Sequence, residues 1–275
     1  MNQRNNSLLQ SRIGLGTWHM GSSQAERANE VAALRAGIEM GVTVIDTAEM
    51  YANGGAEEVA GEAIVGLRDQ IYLVSKVLPH NASRAGTIAA CEDSLHRLKT
   101  DYLDLYLLHW PGSYPLEETA DAFEALYQRG LIRQWGVSNF DPADMVEIIH
   151  LEPSKNCAVN QVYYSLGARG IEFDLLPWQT ENDIATMAYC PLDQGRLAHD
   201  ARLQPLADKH NATLAQIALA WLMIRPDVIP IPKSSSVDRT QENVLARDIV
   251  LDNEDLETLD SLFPPPTQRV PLKVT

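Results

Sequence analysis

The chain has 275 residues, close to the roughly 250 typical of one large α/β domain, and 45% of them are apolar, enough for a single core. Its 37 acidic and 22 basic residues leave a net charge of −15, a surface that repels polyphosphate and excludes nucleic acid and anionic membrane as partners. Cys91, Cys157 and Cys190 are isolated, the leading segment Met1–Arg12 is polar, and no apolar run is long enough for a membrane span; a cytoplasmic protein without a metal site is expected.

In chain order, short β-rich runs alternate with amphipathic stretches. Ile13–Trp18 precedes a helix around Glu26–Met40, and Val42–Asp46 precedes one around Glu57–Leu67. Ile71–Lys76 leads to a helix from about Ser83, a suitable N-cap, to Leu98. Tyr102–His109 precedes Glu117–Arg129, and Ile132–Ser138 precedes Pro142–His150. Cys157–Gln161, Ile184–Tyr189 and Val228–Ile231 follow, each with helical sequence after it. Most strand ends recur about every 30 residues, the size of one βαβ unit. The gap before the last strand leaves room for a second helix. Nearly continuous apolar strands suit a sheet covered on both faces. A (β/α)8 barrel and a doubly wound sheet both alternate this way, so period alone does not close the ring. No linker divides the chain, and one domain over residues 1–275 is expected.

In a barrel the active site lies at the C-terminal ends of the strands. Asp46, Lys76 and His109 stand at such ends, and Tyr51 follows the second strand closely. A tyrosine, with a pKa near ~10, is a poor acid at neutral pH. A neighbouring ammonium lowers that pKa, a carboxylate holds the ammonium in place, and a histidine can orient a carbonyl oxygen. Singly, each residue has a structural explanation: an ion pair at a strand end, a hydrogen-bonded core histidine, a packed surface aromatic. Their joint placement on successive strand ends points to proton transfer to a carbonyl oxygen partnered with a hydride donor.

At these residues the chain resembles the aldo-keto reductase superfamily, over Gly14 to about Asn243. Asp46-Thr-Ala-Glu-Met-Tyr51 is similar to the family's first signature, Ser94 through His109-Trp-Pro111 to its second, and Ile229-Pro-Ile-Pro-Lys-Ser234 with Arg239 and Glu242-Asn243 to its third. Gly136-Val-Ser-Asn-Phe140 and Ala188-Tyr-Cys-Pro-Leu192 resemble further family segments. The resemblance implies an α/β fold, the (β/α)8 TIM barrel, and an oxidoreductase that uses NADPH/NADP+ to reduce carbonyls. It implies Tyr51 as general acid, Lys76 and Asp46 tuning it, and His109 orienting the substrate. Ser138, Asn139 and Gln161 would hold the nicotinamide carboxamide, with Tyr189 stacked on the ring. Thr17, Trp18, Asp46, Pro191, Leu192, Glu242 and Asn243 complete the implied cofactor contacts. Trp18, Tyr51, His109 and Trp110 would line the substrate pocket.

Any phosphate ligand of so acidic a chain needs a local basic cluster. Lys233, Ser234 and Arg239 supply one after the last strand, suited to the 2′-phosphate of NADPH. Gly14-Leu-Gly16 lies inside the first strand and opens no helix, which argues against a Rossmann cradle. The chain departs from the family in three places. Tyr51 is followed by the longer loop Ala-Asn-Gly-Gly-Ala-Glu57-Glu58, Cys190 stands where serine is frequent, and the tail from Phe263 to Thr275 is short, implying an open pocket. The run Asp46–Glu62 is similar to that of bacterial reductases of methylglyoxal and other small aldehydes. A small-molecule carbonyl is therefore the expected partner, and a monomer the expected state. The alternative class is a non-catalytic NADPH sensor on the same barrel, like potassium-channel β subunits. A metal-dependent hydrolase would need further ligands at the strand ends, which are not found.

Overall fold

The computed structural model describes residues 6–151 and 156–275. The first five residues, part of the polar leading segment, lie outside that range. Eight parallel strands run in the order of the chain: β1 (Gly14–Gly16), β2 (Val44–Asp46), β3 (Tyr72–Val77), β4 (Leu103–Leu108), β5 (Ile132–Ser138), β6 (Cys157–Tyr163), β7 (Ala185–Tyr189) and β8 (Val228–Pro230). The ring closes between first and last strands, where Gly16 bridges to Lys233 and the Gly16 N–H donates to Pro232 O at 3.0 Å. The architecture is a (β/α)8 TIM barrel, and the doubly wound reading is excluded by that seam. Glycine is required there: a Cβ on Gly16 would lie 2.8 Å from Ile231 O, and one on Gly14 would lie 2.9 Å from Ile231 Cγ2. The Gly-Leu-Gly run thus serves barrel closure.

A short helix α1 (Asn6–Gln10) precedes the barrel, and the outside is covered by α2 (Arg27–Glu39), α3 (Gly55–Ala63), α4 (Arg84–Leu98), α5 (Leu116–Gln128), α6 (Pro142–Ile149), α7 (Leu175–Glu181), α8 (Gln204–His210), α9 (Leu214–Leu222), α10 (Val237–Leu245) and α11 (Asn253–Leu262). The long gap before β8 holds two of them, α8 and α9. The Ser83 hydroxyl caps α4, accepting from Gly86 N at 3.1 Å, a contact worth about 1 kcal/mol. The helix expected to run to Leu67 stops at Ala63, because Gly66 turns the chain with φ of 78°.

Successive strand residues point to opposite faces. Val44, Val74, Leu105, Leu107, Met187 and Ile229 form the inner cluster, which Leu8 of α1 joins. Ile45, Leu73, Tyr106, Leu108 and Ala188 belong to the outer cluster under the helices. Each fully buried aliphatic side chain contributes about 1.5–3 kcal/mol. The same alternation aims Asp46 inward two residues after Val44, and Lys76 inward two residues after Val74. No helix among the described residues is long and apolar enough to cross a membrane.

Candidate active site

Two buried charges meet at the C-terminal end of the inner column. Lys76 Nζ lies 2.7 Å from Asp46 Oδ2, 2.8 Å from Thr47 O and 3.2 Å from Tyr51 Oη. The ammonium has three hydrogens and here finds three acceptors. The other carboxylate oxygen, Asp46 Oδ1, accepts from Gln161 Nε2 at 2.8 Å. Burial pulls the Lys76 pKa below its ordinary value, opposed by the Asp46 carboxylate against it.

Tyr51 behaves differently from the expectation that Lys76 makes it more acidic. Desolvation raises its pKa well above the ordinary tyrosine value, and the Asp46 charge raises it further. The main cause is loss of solvent around the phenol, and the Asp46 carboxylate that pairs with Lys76 at 2.7 Å adds to it. Tyr51 is therefore a protonated phenol. Its oxygen accepts from Lys76, which leaves its own hydrogen free to donate elsewhere.

His109 follows β4, and its ring centroid is 5.6 Å from that of Tyr51, edge-on at 74°. Burial, assisted by the Lys76 charge, pushes its pKa down to about 2, so the imidazole is neutral. Its Nδ1 is buried without a hydrogen-bond partner among the described residues.

A cavity of about 1150 Å³ opens above these groups, across the C-terminal ends of the strands. Every residue predicted for the site except Lys76 lines it, and Lys76 forms its floor through Tyr51 and Asp46. Trp18, Tyr51, His109 and Trp110 sit together in this lining. Thr17 is also there, its hydroxyl donating to Asp46 O at 3.0 Å.

An amide-rich group lies on β5 to β7. Ser138 Oγ donates to Gln161 O at 2.8 Å, Tyr189 Oη donates to Asn139 Oδ1 at 2.7 Å, and Asn139 Nδ2 donates to His109 O at 3.1 Å and to Ser138 Oγ at 3.2 Å. The Gln161 amide, expected with Ser138 and Asn139 to hold a carboxamide, has its nitrogen engaged by Asp46, leaving Oε1 as the acceptor. Asn139 itself sits at φ of 60°, a conformation asparagine tolerates better than most residues.

Lys233, Ser234, Arg239, Glu242 and Asn243 line the cavity beside β8 and the start of α10, with Pro191 and Leu192 contributed by the loop after β7. Lys233 donates to Ser235 Oγ at 2.7 Å, and neither Lys233 nor Arg239 has an ion-pair partner among the described residues. Two unpaired cations facing one cavity, in a chain of net charge −15, fit a bound anion. No group of three or more His, Cys, Asp or Glu side chains among the described residues is placed to hold a metal ion.

The structure also adds residues that the sequence reading missed. His19, from the loop after β1, and His199, from the loop after β7, line the cavity; isolated histidines carry no pattern that would have revealed this. Val274 and Thr275 of the tail, both exposed, lie on the rim of the cavity. Lys273 anchors the tail, with Nζ 2.7 Å from Asp193 Oδ1 and 4.4 Å from the centre of the Tyr163 ring. Arg269 adds ion pairs to Asp141 and Asp174 at 3.3 and 3.2 Å. Cys190 keeps its proton, since burial and then the Asp193 charge push the thiol up to about 11.

The barrel and its cavity define a class that comparison with known proteins makes explicit. Residues 12–263 match the model of the aldo/keto reductase family. The chain is 51% identical over 265 residues to methylglyoxal reductase YeaE of Escherichia coli K12, covering 94% of this chain and 93% of that protein. It is 34% identical to a glyoxal reductase of Bacillus subtilis, covering 92% of this chain and 91% of that protein. A crystal structure of an aldo/keto reductase from Klebsiella pneumoniae in complex with NADP and acetate superposes with a TM-score of 0.93 at 52% identity, covering 96% of this chain and 95% of that one. The chain belongs to the aldo/keto reductase family and is an oxidoreductase.

Proposed function

We propose that this protein reduces small aldehydes, 2-oxoaldehydes such as methylglyoxal foremost, to alcohols with NADPH, and that Tyr51 is the proton donor. One observation carries the reading: a protonated phenol accepts from a buried, carboxylate-paired ammonium and keeps its own hydrogen for the cavity. When bound, NADPH supplies the hydride. Ser138, Asn139 and Gln161 suit its carboxamide, Tyr189 its ring, and the unpaired Lys233 and Arg239 its 2′-phosphate, with Ser234 beside them.

Tyr51 donates its Oη proton to the carbonyl oxygen. The phenolate left behind is stabilised by the Lys76 N–H already aimed at that oxygen, while Asp46 keeps the ammonium charged. His109, neutral, orients the carbonyl without competing as an acid. Trp18, Trp110 and the exposed Met50 give the pocket an apolar lining that suits a small substrate. The 51% identity to a methylglyoxal reductase supports the same substrate class. Residues 1–275 act as one domain, in the cytoplasm and as a monomer.

The test is NADPH oxidation against a panel of aldehydes by wild type and Tyr51→Phe. Turnover should fall by about 10²-fold or more in the mutant, with NADPH binding, followed by fluorescence quenching, retained. A mutant keeping most of its turnover would refute Tyr51 as the donor.

A further inference from the structure

The unusual loop after Tyr51 is held in a costly conformation. Ala52, Asn53 and Gly54 have φ of 51°, 52° and 89°, three successive left-handed residues of which only one is glycine. Such a run persists only where its surroundings impose it. Two contacts do so. On one side the backbone of the next residue is pressed against another loop: a Cβ on Gly21 would lie 2.2 Å from Gly55 C. On the other side the turn rests on an arginine: a Cβ on Gly54 would lie 2.4 Å from Arg97 Cδ and 2.6 Å from its Nε.

That arginine is fixed in turn by a fully buried carboxylate. Glu57, in the first turn of α3, accepts from Arg97 Nε at 2.5 Å through Oε2 and from Ser75 Oγ at 2.5 Å through Oε1. Arg97 also reaches Ser94 Oγ at 3.2 Å. Glu57 therefore ties α3 and α4 to β3, one residue before Lys76. Tyr51 heads the strained turn, and its contact with Lys76 is the longest of the three that the ammonium makes.

We propose that Glu57 and Arg97 are a positioning pair for the proton transfer: they clamp the left-handed turn Ala52–Gly54 and through it hold the Tyr51 phenol against Lys76. Neither lines the cavity. The pair rests on the reading of Tyr51 as proton donor. It explains why this chain carries the longer glycine loop at this place, since only glycine at position 54 lets the turn seat on the arginine. The residues facing the amide and phosphate ends of the cofactor lie on other strands, so releasing the clamp should affect turnover and spare binding.

The experiment compares Glu57→Gln, Arg97→Met and Arg97→Lys with wild type in aldehyde reduction. Glu57→Gln keeps the shape and the Ser75 bond. Because Arg97→Met leaves a buried carboxylate without its cation and can fail to fold, the double variant Glu57→Gln/Arg97→Met, which removes both charges, is measured beside it. The expected result is a kcat lower by about 10- to 100-fold, the scale of misplacing a catalytic group by about 1 Å. KM for the aldehyde and Kd for NADPH should stay near wild type. Arg97→Lys should recover part of the loss. The alkaline limb of kcat should move to higher pH, because a phenolate further from Lys76 is less stabilised; a role confined to folding would not move it. Folded variants with wild-type kcat, or variants that lose NADPH affinity in step with kcat, would overturn the proposal while leaving Tyr51 as donor. A wild-type protein that oxidised NADPH with no aldehyde would instead overturn the reading on which the pair depends.

Discussion

Gln161 Nε2 donates to Asp46 Oδ1 at 2.8 Å, joining β6 to β2 directly across the mouth of the barrel. With Lys76 on Oδ2, this bond satisfies both oxygens of a carboxylate that is only 2% exposed. The amide proposed to meet the nicotinamide is thus also a structural partner of the Asp46–Lys76 pair.

Removing that donor leaves a buried carboxylate oxygen unsatisfied. Gln161→Leu is expected to lower the unfolding free energy by about 1–3 kcal/mol. Urea denaturation checks this, and an unchanged midpoint would show that the bond contributes nothing to stability.

His109 yields a prediction with a definite sign. Its folded pKa is pushed down to about 2, below the ordinary histidine value, so the unfolded chain binds a proton that the folded chain refuses. The stability this group contributes is complete above the unfolded pKa near ~6.5 and is lost as pH falls toward the folded value. Between those limits His109→Asn should flatten the acid-side fall in stability by up to about 1.4 kcal/mol per pH unit. Denaturation curves collected from pH 7 to pH 4 would show it, and parallel curves for mutant and wild type would contradict it.

At the opposite end of the cavity stand Lys233 and Arg239, the two cations proposed to bind the 2′-phosphate. Lys233→Met and Arg239→Met should each raise the Kd for NADPH by about tenfold, the loss of one charge-assisted contact, and leave the Kd for NADH nearly unchanged. Equal weakening toward both cofactors would mean that these side chains do not read the 2′-phosphate.

The tail offers a milder test. Lys273 is partly exposed, and surface pairs contribute little, so Lys273→Met should change the thermal midpoint only slightly. By freeing Val274 and Thr275 from the cavity wall, it should raise KM for small aldehydes. Steady-state kinetics decides, and an unchanged KM would show that the tail has no part in holding substrate.

Much of this arrangement can be read directly from the residues. The apolar strands and their spacing placed Asp46, Lys76 and His109 at successive strand ends, because strand alternation and barrel geometry are local consequences of sequence. The electrostatics were less legible. That Tyr51 becomes a weaker acid follows from loss of solvent and then from the nearby Asp46 charge, and neither burial nor proximity is written in a motif. His19 and His199 reach the cavity from loops far apart in the chain, and the anchoring of the tail depends on Asp193, which no pattern links to Lys273. The contact of Gln161 with Asp46 spans 115 positions and is equally silent in the sequence.

The seam at Gly16 bears on how the chain must be assembled. Its bridge to Lys233 joins segments roughly two hundred residues apart, the kind of contact that costs the most chain entropy and forms late. Until β8 arrives, β1 and β7 are both open sheet edges, with unpaired backbone groups available to any neighbouring strand. A nascent or truncated chain ending before Val228 is therefore an aggregation-prone sheet and not a smaller enzyme. Because Lys233 stands on that same seam, a ligand bound to it would favour the closed ring by mass action.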